Sequence, residues 1–339
     1  MAPQSRGEEL RSVWRALAGG ETGDGWRTIP LASPGRIRLL AARRFPANEE
    51  AILVGFDTVR IPPAEQLPQG RGFAVEPVQF SAPGVTGNWI SLSRRGAASL
   101  DLFTMMVEDI AGVLAASAGQ NDERLLQTLL ARIRAWQDFM QRGSGELLSP
   151  EAEIGLCGEL VILLELLKAG VSPNAAVEAW HGPLDGIQDF HLGTGAVEVK
   201  STVAQASFPA GISSLEQLDD AFRQPLFLAG VRLSLHGSGA TLPDYVSRVR
   251  SELRGEIAAA DSFTVRLMRA GYADSFADRY TRRFAVADVL LLPVTDGFPR
   301  LARSTTAAEI RRARYDLDLD LLAVERVTFG QALTQLGVI

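Results

Sequence analysis

From Gln188 to Thr202 the chain reads as two short strands around Gly193-Thr194-Gly195, a pattern that predicts a hairpin turn. Successive side chains of a strand point to opposite faces, so Glu198 and Lys200 project to one side while Val197 and Val199 bury on the other. The turn folds Asp189 back towards that pair. Lys200 is one of only two lysines among 34 basic residues, the other being Lys168. A preference for arginine explains the scarcity of lysine in general but not this exception, where a compact, movable ammonium does chemistry that a planar guanidinium does poorly. One carboxylate on each arm of a hairpin, with an amine beside them, is a layout for metal-dependent hydrolysis. The plain alternative is a solvent-facing ion pair on an edge strand, which is common and contributes little.

At 339 residues, with 46% hydrophobic content, the chain is long enough for one large or two ordinary domains with a buried core. A formal charge of −6 argues against coating nucleic acid by bulk attraction, so any such contact must be local. The single cysteine, Cys157, excludes an internal disulfide and a cysteine-based zinc cluster; it reads as a small core residue and fits a cytoplasmic setting. The longest apolar run, Ile154 to Leu167, is too short to span a bilayer and is broken by Glu159 and Glu165, so no membrane partner is expected.

Along the chain, Trp26 to about Arg95 alternates β-prone runs with Gly/Pro punctuation and predicts a β-rich region. Helices are expected at Leu100 to Ala116 and Glu123 to Arg142, with a domain boundary at the Ala118-Gly119-Gln120-Asn121 breaker between them. This divides the chain into a β-rich domain over 1–118, of unassigned role, and an α/β domain over 119–339. Ser149-Pro150-Glu151 starts a further helix that Gly170 closes. Beyond the hairpin come a short helix from Ser214, a strand over Leu226 to Leu235, helices over Pro243 to Leu253 and Ser262 to Ala270, a strand over Phe284 to Val294, and an edge strand over Tyr315 to Leu321.

Magnesium prefers oxygen ligands, keeps several waters and needs few protein carboxylates. Asp189 and Glu198 can supply them, with the backbone carbonyl of Val199 as a further ligand, and Lys200 can orient a water or meet charge building on phosphorus. Glu159 interrupts an otherwise apolar helix, where a lone carboxylate is costly unless paired or close to a cation. Gly155, Gly158 and Glu159 share one face of that helix and make it slim enough to approach a metal.

The segments Gly155-Leu156-Cys157-Gly158-Glu159-Leu160, Glu178-Ala179-Trp180-His181-Gly182-Pro183, Gln188-Asp189-Phe190, Val197-Glu198-Val199-Lys200-Ser201-Thr202, Ile212 to Leu218, and Asp296-Gly297-Phe298-Pro299 together resemble the PD-(D/E)xK nuclease superfamily. They are closest in character to the bacterial PD-(D/E)xK motif proteins of phage-defence and restriction-type gene clusters. The resemblance implies a restriction-endonuclease-like α/β core, a mixed sheet flanked by helices, preceded by a smaller β-rich region. It also implies Mg2+, with Mn2+ as substitute, and a phosphodiester substrate. Carried over by position, Glu159, Asp189, Glu198 and Lys200 fall on the active-site signature, and Gln217 falls on a helical glutamine of recombination-type branches. Gln217 could bond a phosphate or the attacking water, or serve as a helix-cap amide. The proline-aspartate of the superfamily name is not intact at Asp189, which follows Gln188; the literal candidate is Pro183-Leu184-Asp185, in a Gly-rich loop. Asp189 is preferred because it lies one short hairpin from Glu198. His181 reads as part of a structural turn.

The expected function is thus Mg2+-dependent endonucleolytic hydrolysis of DNA, as an effector or subunit of a bacterial defence or restriction system. DNA and other proteins of a defence operon are the expected partners. The alternative is a catalytically inactive nuclease-fold subunit acting in nucleic-acid binding or complex assembly. Three arginine groups, Arg248/Arg250/Arg254, Arg279/Arg282/Arg283 and Arg311/Arg312/Arg314, read by themselves as solvated surface.

Overall fold

A computed structural model describes residues 6–19, 24–31, 37–70, 72–80, 87–96, 98–141, 147–184 and 186–339. The chain forms two compact units, Met1–Glu146 and Leu147–Ile339.

In the first unit, helix α1 (Arg6–Leu17) precedes strands β1 (Gly25–Pro30), β2 (Arg38–Phe45), β3 (Glu49–Phe56), β4 (Phe73–Val78) and β5 (Asn88–Arg94), then helices α2 (Leu100–Ala116) and α3 (Asp122–Gln141). The sheet is antiparallel throughout, in the order β1-β2-β3-β5-β4. α1 is fixed to it by Trp14, whose indole N–H donates to the Ala51 carbonyl at 2.9 Å.

The boundary expected at 118 is corrected by this unit, because α3 belongs with the sheet and α2. Asp122, at the start of α3, accepts the backbone amides of Asp57 and Thr58, each at 2.8 Å. Further along, Trp136 Nε1 and Arg132 Nε donate to Asp109 of α2 at 2.7 and 2.6 Å. The Gly119-containing breaker is therefore an interhelical turn, and the division falls after α3.

The second unit carries α4 (Pro150–Lys168), α5 (Pro173–Ala179), β6 (Phe190–Leu192), β7 (Gly195–Thr202), β8 (Pro209–Ile212), β9 (Leu226–Ala240), α6 (Leu242–Glu252), α7 (Ile257–Arg269), β10 (Phe284–Pro293), β11 (Tyr315–Asp318) and α8 (Phe329–Gln335). Its main sheet is mixed, in the order β10-β9-β7-β6: β9 runs parallel to β7, while β10 and β6 are antiparallel to their neighbours. β8 and β11 form a separate antiparallel pair. Buried apolar residues in and beside these strands, among them Phe208, Ile212, Leu228, Leu290 and Leu319, make one core.

α4 begins as expected, with the Ser149 hydroxyl accepting the Ala152 amide at 3.2 Å. It lies against β7 because Gly158 has no side chain; a Cβ there would run into Ser201 and approach Val231. Gly155, expected on the same approach face, has open space around it. Gly158→Val is expected to lower stability by about 1–3 kcal/mol through overpacking, measured as a fall in the urea midpoint. An unchanged midpoint would mean that α4 and β7 are not held this closely.

Candidate active site

The β6-β7 hairpin sets the site. Phe190 pairs with Val197, His191 with Ala196 and Leu192 with Gly195, so the turn itself is Gly193-Thr194, with Gly193 at φ 53°. Asp189 stands just before β6, and its Oδ2 accepts the Val199 amide at 2.7 Å. The Asp189 carbonyl in turn receives the amides of His181 (2.7 Å) and Gly182 (3.0 Å), which pins the 180–182 segment over the hairpin. On β7 the Lys200 Nζ lies 2.7 Å from Glu198 Oε1. The same oxygen accepts from Gln217 Nε2 at 2.7 Å. The other oxygen, Glu198 Oε2, is buried without a hydrogen-bond partner.

α4 contributes Glu159, whose Oε2 accepts the Trp180 indole N–H at 2.6 Å. Gly182 marks where Glu159 and Asp189 meet, since a Cβ there would fall 2.6 Å from Glu159 Oε2 and 2.8 Å from Asp189 Oδ1. Two carboxylates of the hairpin and one of α4 thus converge with one ammonium.

Their electrostatics are those of acids short of positive charge. Burial pushes the Glu159 carboxyl up to about 8, and the neighbouring Asp189 charge adds to this against the Trp180 hydrogen bond and Lys200. Asp189 is raised by burial despite the Val199 amide and Lys200. Glu198 is raised well above the usual carboxylate range, first by burial and then by repulsion from Asp189, with Lys200 opposing both. Among the described residues, no group of three or more His, Cys, Asp or Glu side chains is spaced to hold a metal ion.

Glu159, Asp189, Glu198 and Lys200 are brought together, and Val199 joins them through its amide. Gln217 reaches the site, but not from a helix: residues 213–218 form a turn instead of the short helix expected from Ser214. The reason is local competition for the backbone. Gln217 Oε1 accepts both the amide and the hydroxyl of Ser213, at 2.7 and 3.0 Å, and Ser214 Oγ accepts the Glu216 amide at 3.3 Å. Asp185 lies outside the described residues. Cys157 is buried in the core, and burial raises its thiol. His181 stacks on His191, with ring centres 4.1 Å apart.

Sequence reasoning gave Trp180 no role. An indole just before a His-Gly-Pro turn was its only signal, because the carboxylate that it holds lies in another helix.

A family model described as "Putative PD-(D/E)XK family member, (DUF4420)" matches residues 10–320. The chain belongs to this family. Its mixed α/β architecture, with a nuclease-like core in the second unit, is that of the superfamily. Searches of curated proteins and of solved structures each gave no match. No helix among the described residues is long and apolar enough to cross a membrane.

Proposed function

We propose that this PD-(D/E)XK family member is a Mg2+-dependent endodeoxyribonuclease, with Mn2+ as a substitute, serving a bacterial defence or restriction-type system. The carrying observation is the unpartnered, buried Glu198 Oε2 among carboxyls that repel one another. An all-oxygen donor set whose three carboxyls face a single ammonium suits a hard divalent cation. Asp189 and Glu198 would hold it, with Glu159 and the Val199 carbonyl as further donors. When bound, the ion would supply Lewis-acid activation of a phosphodiester and of water.

The chain's own groups do the rest. The Val199 amide and the Trp180 indole hold Asp189 and Glu159 in fixed orientations. Gln217 and Lys200 share Glu198 Oε1, which leaves the second oxygen free to face a cation. Lys200, mostly covered but still reachable from solvent, is the group placed to orient the nucleophile or to meet charge developing on phosphorus. The likeness to proteins of defence clusters supports the biological setting and suggests operon-encoded partners.

The test is a cleavage assay on linear, nicked and single-stranded DNA with Mg2+, Mn2+ or chelator. Cleavage only with metal is expected; no cleavage of any form, with or without operon partners, favours a non-catalytic nuclease-fold subunit. Gly182→Ala should weaken Mg2+ binding about tenfold, as other changes that disturb ligand orientation do, without altering any charge. Calorimetric titration would show this, and unchanged affinity would count against a site shared by Glu159 and Asp189.

A further inference from the structure

We propose that the groove between residues 213–216 and 311–314 is the track for the sugar-phosphate backbone of the DNA strand being cut. This rests on the nuclease reading and deepens it. The groove has a volume of about 490 Å³ and is lined by Ser213, Ser214, Glu216, Arg311, Arg312 and Arg314, with Leu215 and Ala313 between them. That is room for a short stretch of one strand.

Its two walls face each other because Ile212 of β8 pairs with Tyr315 of β11, which puts Ser213 and Arg314 at the same end of that ladder. The wall is also braced from behind. Arg303 donates to the carbonyls of Ile310 and Arg311, each at 2.9 Å, and lies 3.5 Å from Glu216 Oε1. The one acid of the lining is therefore matched by a cation outside it.

The charges in front are of a different kind. Arg311, Arg312 and Arg314 are exposed, and among the described residues no ion pair engages them. The other arginine groups are partly committed: Arg282 pairs with Glu153, Arg250 pairs with Asp274, and Arg283 donates to the Gly239 carbonyl. Three unpaired guanidiniums in one concavity repel one another unless an anion lies between them, and a guanidinium fork matches phosphate oxygens.

The position ties this groove to the chemistry. Ser213, on its wall, donates to Gln217, which donates to Glu198. A strand gripped by the arginines would run past the turn that holds Glu198 in place. In a chain of net charge −6, a local cationic track is also the form that nucleic-acid attraction has to take.

The test uses the full chain, labelled single- and double-stranded DNA oligonucleotides, and the triple variant Arg311→Ala/Arg312→Ala/Arg314→Ala. A charge-matched control, Arg248→Ala/Arg254→Ala/Arg279→Ala, removes exposed arginines elsewhere. The groove variant is expected to bind DNA about tenfold or more weakly, to lose about 2–3 from the slope of log affinity against log salt, and to raise KM more than it lowers kcat. The control should stay within about twofold of the unchanged protein, and lysines at the three positions should restore part of the affinity. Equal losses in both variants, an unchanged salt slope in the groove variant, or poly-glutamate binding as tightly as DNA would each overturn the proposal. If the unchanged protein binds and cleaves DNA while the groove variant behaves identically, the track is wrong and the nuclease reading stands. If it binds through these arginines but never cleaves with metal, the nuclease reading falls and the track remains as a binding surface. If it binds no DNA, both fall.

Discussion

Lys200→Ala is expected to lower the rate of the proposed metal-dependent DNA cleavage by about 10²–10³-fold, the usual loss when one preorganised electrostatic donor is removed. The expectation rests on position. The ammonium lies 2.7 Å from Glu198 Oε1, and its side chain is 16% exposed, so it faces the buried acids and can still be reached from outside. Lys200→Arg should rescue little of the rate, since a guanidinium fork cannot occupy the same point beside an oxygen already shared with Gln217. Single-turnover kinetics at saturating DNA separate this from a binding defect, and a circular dichroism spectrum matching the unchanged protein excludes misfolding. Wild-type rates in Lys200→Ala would remove the residue from the chemistry.

The second large effect concerns pH and metal together. The folded-state carboxyls of Glu159, Asp189 and Glu198 are all raised, Glu159 to about 8, so the folded protein keeps protons that the unfolded chain releases. For raised groups the associated stability is complete below the unfolded carboxylate range, near pH 4–4.5. It is lost as pH climbs towards the folded values. The metal-free melting temperature should therefore fall between about pH 5 and pH 8. Mg2+ competes with those protons, so its stabilisation should grow over the same interval. At a hundredfold excess over Kd the gain is about 2.7 kcal/mol. For a unit of this size that is about 5–10 °C. Thermal melts across pH, with Mg2+ and with chelator, measure both trends. A Mg2+ effect that is flat or shrinking with pH would mean that the ion does not displace protons from these acids.

What could be read from the sequence follows from how local each cause is. The hairpin and the start of α4 were legible because alternation, a Gly-containing turn and a Ser-Pro cap act within a few residues. The convergence of Asp189, Glu198 and Lys200 came with the hairpin, since the strand period fixes which side chains share a face. Residues 213–218 misled because the side chains of Ser214 and Gln217 accept nearby backbone amides and the Ser213 hydroxyl donates to Gln217, which no apolar periodicity reveals. The unit boundary was misplaced for the opposite reason. What keeps α3 with the first unit is Asp122 holding the amides of Asp57 and Thr58, a contact between residues 65 and 64 positions apart in the chain. The Trp180 indole was likewise invisible as a clamp until α4 and the 180–182 turn were brought side by side.

The two-residue connection between β6 and β7 carries a constraint on spacing. β7 is held on its other edge by β9, with Glu198 opposite Leu228 and Lys200 opposite Gly230, so those two side chains stay put whatever happens at the connection. One residue added or deleted between Leu192 and Gly195 would shift only the opposing arm, carrying Asp189 out of reach of the Val199 amide and reversing the face it presents. Loop length, elsewhere the feature of a protein most open to drift, is here set by the meeting of Asp189 with the Val199 amide at the far end of the ribbon.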